Sequence, residues 1–445
     1  MSLKYSVIIP TLNEEYFIEK NLRFLNSLNR NLEIIVSDGG SIDNTTAVAK
    51  KYNAQVINSD TGRGIQLNTG AKAANGDIFL FLHADTFLPK NAFDLLDEYF
   101  TNHENNICRF SLGFDFNHRL LDLYSSLSKY DTPFTRFGDS AVIARKSFFE
   151  KLKGFSNRDI FEDVDFLSRS AKYGRINILN ATVNSSARRL IKDGIIERQL
   201  YNTLLFIGYI FNINQQTLSK LYNNTISKSE TNSIIIFLRF PKLGEVKTRL
   251  AKTTSSEFAL RFYKFCAENL VKNVKRIPRI NRFVFYSNKN EKENVNKWLG
   301  NKLFFAPQEG DDLGIRMKNA FEKVFSTGTQ KAIIVGTDIP DLSKNIILDA
   351  FNSLNNNDVV LGPSKDGGYY LLGIKKMHPE LFEDIEYSTS NVFSQTLTRV
   401  NRLNLSYHLL TELMDIDTKE DLVEWLSNEG ENPIKDEIKL SFNTI

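Results

Sequence analysis

Residues 76–86 read GDIFLFLHADT. A short, near-continuous apolar run between turn-forming residues predicts a strand buried on both faces, the kind found inside a parallel sheet. The run ends in His83-Ala84-Asp85. Ligands of open α/β sheets bind beyond the carboxyl ends of the strands, so the acid stands where a site is expected. An Asp-x-Asp at such an end is suited to holding a divalent ion against a diphosphate, because hard cations prefer carboxylate oxygen. Here the first carboxylate is replaced by His83, and alternation along a strand predicts His83 and Asp85 on the same side.

Outward from this stretch, YSVIIPT (5–11), LEIIVSD (32–38) and AQVINSD (54–60) read as companion strands. Amphipathic stretches such as EEYFIEKNLRFLNSL (14–28) separate them, which gives an alternating α/β pattern. The pattern then restarts. NSIIIFLRF (232–240), NRFVFYSN (281–288), KLFFAPQ (302–308), KAIIVGTD (331–338) and DVVLGPS (358–364) read as strands, with helices such as 256–274 between them. The polar, aperiodic residues 222–232 read as a linker between domains at 1–221 and 233–445. In the second half the long apolar strand again ends in an acid, Asp338.

Composition narrows the function. The chain has 445 residues, 42% of them hydrophobic, which suits two globular domains. A net charge of +3 with dispersed Lys and Arg offers no field for nucleic acid. Two distant cysteines, Cys108 and Cys266, suit a reduced compartment and provide neither a disulfide framework nor a zinc cluster. The N-terminus has no secretory leader pattern, and no run reaches the ~18 apolar residues of a membrane helix. The expected location is therefore the cytoplasm, including the inner face of the membrane. Residues 188–213, with Arg188, Arg189, Lys192 and Arg198 beside an apolar stretch, either pack on the domain or rest on a membrane surface. Nothing in the sequence sets the oligomeric state.

In the first half, Asp38 falls at a strand tip, with Gly39 and Gly40 permitting a tight turn and Asp43 able to cap the next helix. An acid at that tip can accept hydrogen bonds from a base or ribose. Arg63, between Gly62 and Gly64, either meets phosphate or belongs to a loop shaped by the glycines. Glu162, Asp163 and Asp165 crowd the first turn of a helix, where the helix dipole favours acids. Arg188 and Arg189 are read equally as charge near a diphosphate or acceptor and as surface residues.

The ordered set VIIPTLNEE, IIVSDGGSIDNT, GDIFLFLHADT and FEDVDF resembles the family 2 glycosyltransferases, which have the GT-A fold. The resemblance covers most of residues 4–215. It is nearest to a bacterial branch found beside radical-SAM and selenium-related domains, in which His-Ala-Asp is the usual form. It implies a nucleotide-diphosphate sugar donor and Mg²⁺ or Mn²⁺. Thr11, Asn13, Glu14 and Asp38 would line the nucleotide pocket, with Arg63, Glu162 and Arg189 on the substrate. Asp85 would hold the metal, and Asp163 would take the proton from the acceptor hydroxyl, with inversion at the sugar. His83, counted with the nucleotide-binding residues, could ligate the ion, hydrogen-bond the ribose or orient Asp85; orienting is expected over ligation, with plain packing as the bland alternative.

In the second half, PKLGEVKTRL carries Gly244, Lys247 and Arg249 but lacks the spacing of a P-loop. Arg316 opens a helix, Asp366 and Gly367 stand in GPSKDGGYYLLG, and Asp415 and Asp417 precede a helix that Thr418 and Asp421 can cap. These motifs resemble an uncharacterised bacterial GT-A-like family related in pattern to nucleotidyltransferases. That resemblance implies attack of a phosphate oxygen on an NTP. Asp338 and Asp417 would hold the metal, Lys247 and Arg249 would neutralise phosphoryl charge, and Gly244, Arg316, Asp366 and Gly367 would bind substrate. The whole chain is thus expected to be two tandem GT-A domains forming a bifunctional metal-dependent transferase. The competing readings are a second glycosyltransferase in the C-terminal half, or a non-catalytic nucleotide-sugar-binding scaffold in either half.

Overall fold

The computed structural model describes residues 3–136, 138–158, 160–223, 231–300, 302–427, 435 and 438. The chain divides into two compact units, residues 1–227 and 228–445. Of the expected linker, residues 224–230 lie outside the described residues. Its flanks belong to helix Gln215–Asn223 and to the strand that starts at Asn232.

The first unit is built on strands β1 (Tyr5–Thr11), β2 (Leu32–Asp38), β3 (Gln55–Asn58), β4 (Ile78–Phe81), β5 (Thr86–Phe87), β6 (Ile107–Phe114), β7 (Val142–Arg145) and β8 (Asn177–Ser185). Their order across the sheet is β3-β2-β1-β4-β7-β6-β8-β5. The block β3-β2-β1-β4 is parallel, with Ile8 beside Ile35 and Phe81. β7 runs antiparallel to both β4 and β6. Alternation along β1 sends Val7 and Ile9 into one core and Ile8 into another, so helices cover both faces.

The second unit contains β9 (Asn232–Leu238), β10 (Ile280–Tyr286), β11 (Phe304–Pro307), β12 (Lys331–Val335), β13 (Val359–Pro363), β14 (Tyr369–Ile374) and β15 (Tyr407–Leu409), in the order β11-β10-β9-β12-β14-β13-β15. With the two-residue β5 set aside, this is the order of the first unit, with the same parallel and antiparallel neighbours. Both units have the GT-A fold, two mostly parallel sheets with helices on each side. Cys108 and Cys266 are buried free thiols, as small hydrophobic fillers should be.

One local expectation is corrected. Strand β4 stops at Phe81, so alternation does not set the directions of His83 and Asp85. The chain turns there instead: the Thr86 amide donates to the His83 carbonyl at 3.0 Å, and the Ser186 amide donates to the Asp85 carbonyl at 3.1 Å.

Candidate functional site

In the first unit the predicted residues gather at the carboxyl ends of β1, β2 and β4. Asp38 accepts from Thr11 Oγ1 at 2.9 Å, from the amides of Gly40 and Ser41 at 3.0 and 2.8 Å, and from Ser41 Oγ at 2.6 Å. Burial raises its pKa, but these four donors outweigh burial and hold the carboxyl below its ordinary range. Gln66 ties the two strand tips together, its side-chain amide donating to the carbonyls of Thr11 and Ser37. Asn13 adopts a positive φ of 56°, which aims its amide at Ser41 Oγ and its side-chain oxygen at the Ile42 amide. Asp43 accepts from the Thr45 amide at 3.0 Å, one residue ahead of Asn44, which caps the helix Thr45–Lys51 by position.

Arg188 enters this corner from helix Arg188–Asp193 and makes a two-pronged pair with Glu14. It also lies 3.1 Å from Asp85 Oδ2. Arg188 thus lies beside Glu14 and Asp85 rather than out on the surface. The half-buried Glu14 carboxyl is pushed up by burial, partly offset by Arg188. Arg189 points elsewhere, onto the Tyr222 hydroxyl and ring. His83 Nδ1 lies 2.9 Å from Asp139 Oδ1, on the short helix Gly138–Ser140, so its hydrogen-bond partner is not Asp85. Burial would lower the pKa of His83, but Asp139 outweighs it and the net shift is upward. The converse holds for Asp139: burial raises it, and His83 and the nearby arginines bring it well below the carboxylate range.

Helix Glu162–Ser170 starts after Phe161, whose φ is 63°. Glu162 is fully buried and pairs with Arg63 Nε at 3.0 Å. Burial raises the Glu162 pKa, Arg63 opposes it, and Asp163 adds to the rise. Asp163 is buried beside it and accepts from the Val164 amide at 2.7 Å. The helix therefore carries a paired acid, Glu162, next to the proposed base, Asp163.

In the second unit the loop after β9 sets Lys247 at φ 46° and sends its side chain inward. Lys247 Nζ lies 3.1 Å from Asp338, 3.0 Å from Asp415 and 2.8 Å from Asp417. With 3% of its side chain exposed, this lysine is gripped by acids rather than offered by a loop. Burial lowers its pKa, but the three carboxylates outweigh that and raise it. Asp415 is pushed up to about 7 by burial, against Lys247 and with the help of its two acidic neighbours. Arg249 is 74% exposed and 3.5 Å from Asp417. Thr418 and Asp421 form the expected reciprocal cap ahead of helix Lys419–Ser427.

The remaining predicted residues of this half are more dispersed. Gly244 takes φ 76° in open space. Arg316 anchors its own loop by donating to the Gly310 carbonyl. Asp366 is exposed and accepts from the Gly368 amide. At Gly367, φ is 86° and a Cβ would stand 2.1 Å from the Ser390 carbonyl oxygen. The close approach that Gly367 permits is to the chain's own turn at Ser390. Asp139, Ser41, Gln66 and Tyr222 were not singled out from sequence. Only the short polar turn of Gly138–Ser140 hinted at Asp139.

Among the described residues, no group of three or more His, Cys, Asp or Glu side chains is arranged to hold a metal ion. The donor chemistry nonetheless fits one: Asp85 and Asp338 are part-exposed hard oxygen ligands at strand ends. Mg²⁺ in such sites takes one or two carboxylates and completes its shell with phosphate oxygens and water.

Two family models match the chain. Glycosyl transferase family 2 matches residues 6–150, and an uncharacterized family conserved in bacteria (DUF2064) matches residues 270–389. The 2-phospho-L-lactate guanylyltransferase of Methanocaldococcus vulcanius is 27% identical over 195 residues, covering 43% of this chain and 83% of that protein. A solved structure from Desulfovibrio desulfuricans G20, described as a candidate nucleotide-diphospho-sugar transferase, is 30% identical. It covers 46% of this chain and 91% of its own, at a TM-score of 0.45. Glucosyl-3-phosphoglycerate synthase from Mycobacterium tuberculosis, solved with Mn²⁺, UDP and glucosyl-3-phosphoglycerate, is 19% identical at a TM-score of 0.33. It covers 41% of this chain and 70% of its own. The chain is a transferase that joins a glycosyltransferase segment of family 2 to a segment of the uncharacterized bacterial family DUF2064.

Proposed function

We propose that the N-terminal unit transfers a sugar from a nucleotide-diphosphate donor to an acceptor hydroxyl with inversion, and that the C-terminal unit transfers a nucleotidyl group to a phosphorylated small molecule. The observation that carries this reading is the shared placement of an acid. In each unit an aspartate just past the fourth strand, Asp85 or Asp338, meets a cation that it shares with at least one further carboxylate. Both stand at the carboxyl end of the same position in the same strand order.

In the first unit Asp38, kept ionised by its four donors, accepts hydrogen bonds from the nucleoside, with Thr11 and Asn13 shaping the pocket. Asp85 would hold Mg²⁺ or Mn²⁺. A divalent ion there would offset the charge of the departing diphosphate. Arg188, already between Glu14 and Asp85, adds positive charge at the same place. Asp163 takes the acceptor's proton as the new C–O bond forms and the bond to the diphosphate breaks, a contribution of about 10²–10⁴ in rate. Glu162 and Arg63 fix the helix that presents Asp163.

In the second unit an acceptor phosphate oxygen attacks the α-phosphorus of an NTP and pyrophosphate leaves. Asp338 and Asp417 would hold the ion. Lys247, clamped among the acids, sets the spacing of those carboxylates, and the exposed Arg249, held only at 3.5 Å from Asp417, meets phosphate. The guanylyltransferase relative, matched over most of its length, favours a guanine nucleotide and a phosphorylated hydroxy acid as the first substrates to try.

The test is to assay the full chain against a panel of nucleotide sugars and NTPs, each with Mn²⁺. Asp85→Ala should abolish donor-sugar turnover and spare pyrophosphate release, and Asp338→Ala should do the reverse. Undiminished sugar turnover in Asp85→Ala removes that residue from the proposal. Absence of pyrophosphate release from every NTP with a broad phosphate-acceptor panel counts against nucleotidyl transfer.

A further inference from the structure

The helix Ile195–Ile210 of the first unit buries Leu205, Phe206 and Gly208 and turns a second apolar face to solvent. Ile196, Leu200, Leu204, Ile207 and, just past the end, Phe211 are 44% to 77% exposed. Their spacing of three and four residues puts them in one stripe. A second stripe comes from helix Arg119–Leu127 and the residues after it: Leu120, Leu123, Leu127, Tyr130 and Phe134, between 39% and 66% exposed. Phe134 of the second stripe reaches the buried side of the first helix, its ring 5.5 Å from that of Phe206. Soluble monomers rarely leave two such rows of exposed apolar side chains without a use for them.

Charge identifies the occupant. Arg119 and Lys129 are exposed in the second of these segments, and Lys192 and Lys220 in the short helices on either side of Ile195–Ile210, against one exposed carboxylate in the two stripe segments, Glu197. A second copy of the chain would bring these cations against themselves across a two-fold interface, which like charges disfavour. An anionic lipid surface complements them, and apolar stripes flanked by Lys and Arg lie in the headgroup region of a bilayer. No helix among the described residues is long and apolar enough to cross a membrane, so contact would be peripheral. The buried side of the same helix also reaches the site. Phe206 and Tyr209 pack on Phe161, at 5.9 and 5.2 Å between ring centroids, and Phe161 directly precedes Glu162 and Asp163.

We propose that the N-terminal unit docks on an anionic membrane surface through these two stripes and so faces acceptor hydroxyls held in the membrane. The docking stands on geometry and charge; the acceptor class rests in addition on the transferase reading above. The test sediments the full chain with phosphatidylglycerol–phosphatidylcholine vesicles and with phosphatidylcholine vesicles alone. The wild type should pellet with the former, less so as salt rises. The doubles Leu200→Glu/Leu204→Glu and Leu123→Glu/Leu127→Glu should each weaken binding by roughly 100-fold, because two leucines leave the apolar contact. Both should keep the wild-type melting temperature and the wild-type hydrolysis of soluble donor. A wild type that stays in the supernatant with anionic vesicles overturns the proposal. So does a concentration-dependent dimer that either double variant converts to monomer. Because sedimentation needs no turnover, an inactive enzyme that pellets would sink only the acceptor assignment.

Discussion

Replacing Asp415 by Asn tests whether the acids around Lys247 are crowded as strongly as the structure indicates. Asp415 lies 3.0 Å from Lys247 Nζ and shares that cation with Asp338 and Asp417. Its pKa rises from 3.8 to about 7, chiefly because the carboxylate loses water. A folded pKa above the unfolded one means that the folded state holds the proton more tightly. Its contribution is therefore complete below about pH 4 and is lost as pH rises through 7. At about 1.4 kcal/mol per pKa unit the whole loss is roughly 4 kcal/mol, of which about 3 falls between pH 5 and 8. The proton belongs to the acidic cluster as a whole, but removing Asp415 removes its most crowded member.

Asn keeps the shape and cannot ionise. The difference in stability between variant and wild type should therefore move in favour of the variant by about 3 kcal/mol from pH 5 to pH 8, or roughly 6–12 °C in melting temperature for a unit of this size. Both tryptophans, Trp298 and Trp425, lie in the second unit, so tryptophan fluorescence of the full chain reports on that unit alone. Melts at pH 5, 6, 7 and 8 give the comparison. A difference that stays flat across this range, or that turns against the variant, would refute the crowding argument.

Other perturbations reach other parts of the molecule. Asp139→Asn should drop the pKa of His83 below its ordinary value, because burial and Arg63 then outweigh Asp85; imidazole NMR resolves this among five histidines. In the wild type the stability from His83 is present below its unfolded pKa and lost as pH rises through the raised folded value. That from Asp139 is lost as pH falls through its depressed one, so the pair is strongest between the two. Arg63→Met strands the fully buried Glu162 and should cost about 3 kcal/mol near neutral pH, less in acid where Glu162 is protonated; urea unfolding at two pH values checks both. Gly367→Ala combines a positive φ with a 2.1 Å clash at Ser390 and should cost about 2 kcal/mol or more by tryptophan-monitored unfolding, whereas Gly368→Ala, whose nearest neighbour is the flexible Asp366 side chain, should cost less.

The sequence reading and the structure part company along a physical line. Strands β1 and β2 have the predicted bounds because their Val and Ile runs are buried on both faces, which is a strong local signal. Apart from β13, the strands beyond the parallel blocks β3-β2-β1-β4 and β11-β10-β9-β12 are not legible in the sequence. β8 is NILNATVNS, exposed along one face and too polar to read as a strand. β6 carries Arg109, a buried guanidinium donating to the carbonyls of Ser128 and Tyr130, which looks like a surface residue in sequence. β14 is hidden in the glycine-rich GPSKDGGYYLLG, which reads as a loop. In the site, acids at strand ends were legible because topology fixes where strands end. The partners of those acids were not. Arg188 on Asp85, Asp139 on His83 and three aspartates on Lys247 are contacts between segments far apart in the chain, and no spacing rule encodes them.

The central claim is that the N-terminal unit holds a divalent ion at Asp85 for use on a nucleoside diphosphate. Mn²⁺ titration of the full chain, followed by the electron paramagnetic resonance of the free ion, with and without UDP and the other nucleoside diphosphates, tests it directly. The account predicts a site that one of these nucleotides tightens, that Asp85→Ala removes and that Asp338→Ala leaves intact. Equal nucleotide-dependent Mn²⁺ binding in wild type and Asp85→Ala would contradict it.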